Sequence, residues 1–298
     1  MNPIDIDAAA DAIRPYIRRT PLLDTRIDGR RLLLKLEHLQ LSGSFKLRGA
    51  VNALLSRPSG EHVVTASGGN HGLGVATAAG LLGRAATVFV PVTVPAGKAR
   101  RIEAAGARLI RHGSTYAEAA AAAIEAAARP GCGYLHAYDD PAVIAGQGTV
   151  AAEVVAEVPE VDAFAVAVGG GGLASGTAIA AGPRTTVAVE PENCQCLADA
   201  LAAGRPVDGE VDSVAASALG ATRVGELPFA ILRAAPVESV LVTDKELLTA
   251  RDLLWDQFRL AVEPAAAVPF AAWQAGRVAG ELPCLIICGA NADWSPGD

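Results

Sequence analysis

The chain has 298 residues, of which 51% are hydrophobic and 19% charged, with a formal charge of −7. That balance excludes a disordered chain, and the length suffices for two domains with substantial cores. An acidic surface with no basic block speaks against nucleic acid as a partner.

In chain order, the N-terminus MNPIDIDAAADAIRP is acidic and lacks a basic start before an apolar stretch, so it does not read as a signal peptide. A strand-like run follows from Arg31 to Glu37, and EHVVTAS, RAATVFV, ARLIRH and GYLHAY are further short apolar runs. Between them, helical stretches are expected from Asn70 to Leu82, Ala96 to Ala105 and Tyr116 to Ala128. The alanine-rich part of the last reads as an ordinary helix, and no solenoid-like repeat is visible. A helix is expected from Pro141 to Glu157, then the strand VDAFAVAV, a glycine loop and a helix from Leu173. The strands TTVAVE, SVLVT and CLIICG continue the pattern. The uncharged segment from Ala163 to Gly182 has the length of a membrane span, but four consecutive glycines in its middle point to strand, loop and helix. Buried runs alternating with helices imply an α/β protein with parallel, doubly wound sheets.

The cysteines are Cys132, Cys194, Cys196, Cys284 and Cys288. An odd count without a secretory signal points to reduced thiols in the cytoplasm. Cys194-Gln195-Cys196 has no second Cys/His pair at zinc-like spacing, so no metal is expected there.

Three features carry chemistry. Lys46 lies in LSGSFKLRGA, Asn70 in TASGGNHGLG, and Gly169 to Gly172 in VAVGGGGLASG. Glycines between a strand and a helix let backbone N–H groups converge on an anion at the helix N-terminus. Taken alone, the loop suits a phosphate best, then a dinucleotide in a Rossmann-like turn, then a tight turn with no ligand. Lys46 alone reads as a surface lysine beside Arg48, and Asn70 with His71 as a helix cap. Together, a lysine for an aldehyde, a glycine loop for a phosphate and an asparagine for a ring hydroxyl are the contacts that pyridoxal phosphate needs.

The chain resembles the fold-type II pyridoxal-phosphate enzymes of the serine/threonine dehydratase and serine racemase group. The resemblance runs along nearly the whole sequence, through LKLEHLQLSGSFKLRGA, ASGGNHG, VIAGQGT, GGGGLASG, VEP, VEPAAA and ICGAN in order. It implies that Lys46 is the Schiff-base lysine, with Phe45 beside the ring. Asn70 would bond the ring hydroxyl, and Gly169, Gly170, Gly171, Gly172 and Leu173 would surround the phosphate. Ser67, Gly68, Gly69, Asn70 and His71 would receive the substrate carboxylate. Cys288 would face the pyridine nitrogen, where relatives carry Ser, Thr or Cys; read alone, it is a buried core cysteine. A neutral thiol does not hold that nitrogen protonated, which favours prompt loss of a β-substituent.

The resemblance also separates subclasses. Serine racemases place a serine at the position of Gly68, so a dehydratase acting on L-threonine, L-serine or both is implied. The alternatives are a dehydratase of another β-hydroxy amino acid such as 3-hydroxyaspartate, a racemase, or, in a different class, a non-catalytic nucleotide-binding or sensor module. Many relatives bind a divalent cation through the glutamate of VEP and a carboxylate six residues on. Here these are Glu190 and Cys196, a poor pair for a hard cation, and no metal site is expected. The short stretch after Cys288 leads us to expect no C-terminal regulatory domain. The expected architecture is a large cofactor-binding domain of residues 1–61 and 140–298 and a small one of 62–139 carrying the carboxylate loop. The cofactor would lie in the cleft, with a small amino acid as the partner and no membrane. A homodimer is usual for the family.

Overall fold

The computed structural model describes residues 4–292. Helix α1 (Ile6–Ile13) is capped by Asp5, whose carboxylate accepts from the Ala8 amide. A hairpin follows, β1 (Leu22–Ile27) and β2 (Arg30–Lys35). Its two-residue turn places Asp28 and Gly29 at positive φ, the geometry that matches the twist of paired strands. Helix α2 (Lys46–Leu55) leads to β3 (His62–Ala66), α3 (Asn70–Leu81), β4 (Ala86–Val90), α4 (Ala96–Ala104) and β5 (Arg108–Arg111). Next come α5 (Tyr116–Ala127), β6 (Cys132–Tyr134), α6 (Pro141–Glu157), β7 (Ala163–Ala167), α7 (Gly172–Ala181) and β8 (Thr185–Pro191). The last part holds α8 (Cys196–Ala203), α9 (Ala216–Leu219), α10 (Glu226–Ala234), β9 (Val237–Val242), α11 (Asp244–Phe258), α12 (Pro264–Gln274) and β10 (Pro283–Ile286).

The strands form two sheets. One has the order β1-β2-β10-β7-β8-β9, the other β5-β4-β3-β6. Among the strand pairs of the described residues only β1–β2 is antiparallel; the other strand pairs are parallel. Strands β4 and β7 are buried at every position, which is why ATVFV and AFAVA read as continuous apolar runs. The uncharged stretch from Ala163 to Gly182 is β7, the glycine loop and α7, and no helix among the described residues is long and apolar enough to cross a membrane. The alanine-rich stretch is α5, started by a reciprocal capping box between Thr115 and Glu118.

The six-stranded sheet has its own core, with Phe164, Val187, Phe270 and Leu285 inside it. The apolar face of α2 packs elsewhere: Leu47, Val51 and Leu54 share a cluster with Val63, Val75 and Val88 of the four-stranded sheet and its helix α3. Helices α6 and α7 cross at Gly148 and Gly176, where a Cβ on Gly176 would lie 2.5 Å from the Gly148 nitrogen. That close approach accounts for the second glycine in VIAGQGT; the first, Gly146, faces Gly49 of α2, whose Cα a Cβ there would meet at 2.6 Å.

A buried ion cluster fixes the chain beneath α2. Arg48 is fully buried and donates to both oxygens of Glu37 at 2.8 Å, to Glu153 at 2.7 and 3.0 Å, and to Thr149 Oγ1 at 3.1 Å. Lys35 Nζ donates to Glu153 and to the Thr20 carbonyl. Removing one partner of such a cluster costs about 3–5 kcal/mol, because it leaves a buried charge uncompensated. Arg48 therefore anchors the first turn of α2, where Lys46 sits.

Candidate active site

Lys46 is the first residue of α2. Its neighbourhood is assembled from distant parts of the chain. The Phe45 amide donates to the Cys288 carbonyl at 3.1 Å, and Ser44 pairs with Gly289 in an isolated bridge, so the end of β10 lies beside the lysine. Lys46 Nζ donates to the Ala137 carbonyl at 2.9 Å and lies 5.2 Å from the centre of the Phe45 ring. Part of the side chain opens to a cavity, but the amine is enclosed by protein. Burial lowers its pKa to about 8. It is not the surface lysine that the local sequence suggests, and its neighbour Arg48 is not at the surface either.

The glycine loop follows β7. Gly171 has φ +94°, a conformation that side chains disfavour, and α7 starts at Gly172. The first bond of that helix runs from the Ser175 amide to the Gly171 carbonyl, so the amides just before it have no acceptor within the helix and face an anion naturally. A Cβ on Gly170 would lie 2.3 Å from the Tyr138 ring. Tyr138 had no signal in the sequence, yet its ring closes the loop from one side, and its hydroxyl donates to the Arg223 carbonyl at 3.2 Å. His136 Nδ1 accepts from the amides of Tyr138 and Asp139, and Asp139 accepts from Glu226 and Leu227 at the start of α10.

The second loop follows β3. Ser67 Oγ accepts from the Gly69 amide at 3.1 Å, and α3 starts at Asn70. Asn70 does not cap the helix. Its Nδ2 donates to Glu263 Oε1 at 2.6 Å, and its Oδ1 accepts from Asn291 Nδ2 at 2.9 Å. His71 Nε2 lies 2.9 Å from Thr65 Oγ1 and 3.3 Å from the Leu135 carbonyl, so that nitrogen is engaged with the sheet. Burial lowers its pKa to about 3, so the ring is neutral.

Both loops converge on Lys46. One cavity is lined by Phe45, Lys46, Asn70, Gly169, Gly170, Gly171, Gly172, Leu173 and Cys288, with Tyr138 and Glu263. An adjoining cavity of about 330 Å³ shares Lys46, Asn70, Tyr138 and Gly170 and adds Ser67, Gly68, Gly69 and His71. Every residue singled out in the sequence for this site therefore lines one or both. An amine for an aldehyde, free amides for a phosphate, a carboxamide and a neutral thiol suit pyridoxal phosphate. Burial pushes the Cys288 thiol well up, so it is a neutral neighbour for a ring nitrogen.

The Glu190 carboxylate accepts from the amides of Leu197 at 2.8 Å and Ala198 at 2.9 Å, and Cys196 Sγ donates to the Gly169 carbonyl at 3.2 Å. Burial raises Glu190 to about 7 and keeps Cys196 protonated. Both groups are thus committed to the start of α8 and to the glycine loop. Among the described residues no cluster of three His, Cys, Asp or Glu side chains could hold a metal ion.

Comparison with known proteins agrees with this geometry. Residues 13–289 match the family model described as pyridoxal-phosphate dependent enzyme. The L-threonine ammonia-lyase of Geobacter sulfurreducens is 37% identical over 97% of this chain and 75% of its own length. The catabolic L-threonine dehydratase of Staphylococcus aureus is 35% identical over 92% of this chain and 83% of its own length. Among solved structures, a T.th. threonine deaminase superposes with a TM-score of 0.91 at 36% identity, covering 98% of both chains. Maize serine racemase does so with a TM-score of 0.89 at 30% identity, covering 97% of this chain and 93% of its own.

Proposed function

Because this chain belongs to the family of pyridoxal-phosphate dependent enzymes, we propose that it is an ammonia-lyase converting L-threonine, L-serine or both to 2-oxobutyrate or pyruvate and ammonia. The observation that carries this reading is the enclosed Lys46 amine placed between a glycine cradle and a second glycine loop, with the neutral Cys288 thiol lining the same cavity.

Lys46 holds the cofactor at rest. Bound pyridoxal phosphate supplies the aldehyde that takes up the substrate amine and the ring that draws electrons from the α-carbon. Gly169 to Leu173 bind the phosphate through backbone amides and the positive end of α7. The loop from Ser67 to His71 receives the substrate carboxylate on backbone amides. With the cofactor bound, Asn70 would donate to the ring hydroxyl and Phe45 would stand beside the ring. The free Lys46 amine would remove the α-proton at Nζ; with its pKa lowered to about 8, roughly a tenth of it is neutral at pH 7, against far less than a hundredth for an ordinary lysine. The β-hydroxyl would leave as water, taking up one proton equivalent to the one that Lys46 Nζ received, and hydrolysis of the freed enamine would give the 2-oxo acid and ammonia.

Among the described residues lining the larger cavity, Lys46 is the one lysine and there is no arginine, which favours substrates without a second carboxylate such as that of 3-hydroxyaspartate; Lys98 and Arg101 lie beside Gly68 and Gly69 in a neighbouring pocket. Gly68 offers no hydroxyl for a second proton carrier, which favours elimination over racemisation. We take the two sheets as the cores of two domains, residues 1–61 with 140–298 and residues 62–139, that close on the substrate, with α2 of the first packing its apolar face on the sheet of the second. The free cysteines suit a reducing cytoplasm, and a homodimer is the assembly to test by solution mass. The test of function is the release of 2-oxobutyrate from L-threonine and pyruvate from L-serine by purified protein with added cofactor. A panel of β-hydroxy amino acids giving no 2-oxo acid sinks the reading.

A further inference from the structure

The motif VEPAAA has a glutamate to which the reaction above assigns nothing. Glu263 precedes α12 and is 3% exposed, yet it forms no salt bridge with a cation among the described residues. Burial raises its pKa, opposed first by its bond from Asn70, then by one from the Asn291 amide, and last by the charges of Lys98 and Arg101, neither of which forms a salt bridge with it among the described residues. A carboxyl placed this deep without an ion pair is costly, so a site that keeps one uses its acceptor oxygens.

Those oxygens are directed by backbone. The Glu263 amide donates to the Gly289 carbonyl at 3.1 Å, and a Cβ on Gly289 would lie 2.3 Å from Glu263 Oε1. Gly289 follows Cys288 and bridges to Ser44, two residues before Lys46. The carboxyl is thus fitted into the turn that joins the thiol to the lysine. Its Oε1 receives Asn70 Nδ2 at 2.6 Å. From the other side, Asn291 Nδ2 donates to Asn70 Oδ1 at 2.9 Å and to the Ser42 carbonyl at 2.8 Å. The Asn70 carboxamide therefore has its orientation fixed at both ends: its oxygen accepts, and one N–H is taken by the glutamate. The second N–H is the valence left for the cavity, which Asn70 and Glu263 both line.

We infer that Glu263 is a positioning residue that, with Asn291, orients the Asn70 carboxamide so that its remaining N–H serves the cofactor ring. This rests on the reading of Asn70 as the residue facing the ring hydroxyl. A hydrogen bond to that hydroxyl changes the electronic state of the bound cofactor, so the effect is visible in its absorbance without turnover.

The test is a double-mutant cycle on the holoenzyme, with cofactor affinity and the band ratio of bound cofactor as readouts. E263A is expected to shift the band ratio and weaken cofactor binding about tenfold, the scale of one buried hydrogen bond. In an N70A background, E263A is expected to change neither readout more than about twofold, because the group it orients is gone. E263Q keeps an oxygen that accepts from Asn70 and is expected to restore most of the parental spectrum; N291A, which acts on the other end of the carboxamide, is expected to shift it in the same direction as E263A. Equal effects of E263A in both backgrounds overturn the inference, as does an E263Q spectrum matching that of E263A, which would mean that the charge acts on the cavity directly. A parent protein that binds no pyridoxal phosphate overturns the functional reading and this inference with it. A parent that binds cofactor normally while E263A leaves spectrum and affinity unchanged overturns the inference alone.

Discussion

The glycine loop after β7 and the loop after β3 both follow a buried parallel strand and lead into a helix, yet their surroundings differ. The first is packed on several sides. Tyr138 fills the space beside Gly170, Cys196 bonds Gly169, and the Gly225 amide donates to the Gly170 carbonyl at 3.1 Å. The second is half-buried at Ser67, Gly68 and Gly69 and is held internally by one side-chain bond, from the Gly69 amide to Ser67 Oγ. A loop preformed by packing suits a cofactor that stays. A loop with few restraints suits a substrate that comes and goes, since regions with few buried contacts open at low cost. Damage to the first should appear in cofactor retention, and damage to the second in KM.

Lys46 belongs to both sides, so Lys46→Ala is expected to have the largest effect. Loss of its amine should lower kcat by about 10⁴-fold or more, measured as 2-oxobutyrate release from L-threonine. Gly170→Ala puts a methyl into the Tyr138 ring, an overpacking cost of about 2 kcal/mol. Cofactor affinity should fall about thirtyfold by titration, while KM of cofactor-saturated protein stays within about twofold. If KM changes as much as cofactor affinity does, the division of labour between the loops is wrong.

The lysine also predicts a pH dependence of stability in the cofactor-free protein. Its pKa is about 8 when folded and 10.5 in the reference state. Between these values the unfolded chain binds the proton and the folded chain does not, so stability from this group rises with pH across that window. The burial cost is complete below pH 8 and gone above 10.5. Lys46→Met should therefore be more stable than the parent below that window, by on the order of 2 kcal/mol, with the gap closing towards pH 10 in urea titrations. A constant gap would mean that the amine is not shielded. The smallest effect is expected from Ser67→Ala, which removes one bond of about 1 kcal/mol. It should raise KM for L-threonine about fivefold and leave cofactor affinity unchanged.

The parts of the fold visible in the sequence were those with a local signal. Strands β4 and β7 are buried on both faces and so read as unbroken apolar runs, and the glycine loops mark where strands hand over to helices. The antiparallel edge strand β1 alternates burial and carries Asp24 and Arg26, so it has no apolar run to see. Helix α2, KLRGAVNALL, has apolar residues at helical spacing (Leu47, Ala50, Val51, Leu54), but it starts without a capping side chain and contains Gly49, and its Arg48 is buried by pairing with Glu37 and Glu153, which its own sequence does not announce. The same limit applies at the site. Lys46, Asn70 and the glycines lie in motifs, but Tyr138 matters only through its fit over Gly170, and Glu263 only through its bond to Asn70. Neither contact has a sequence spacing that announces it.

The most direct measurement is an absorbance spectrum of the purified protein with pyridoxal phosphate, followed by addition of L-threonine and then L-serine. The account predicts a bound-cofactor band that is absent in Lys46→Ala and whose change on adding amino acid accompanies release of 2-oxobutyrate or pyruvate. No bound cofactor, or bound cofactor with no 2-oxo acid from either amino acid, would contradict it.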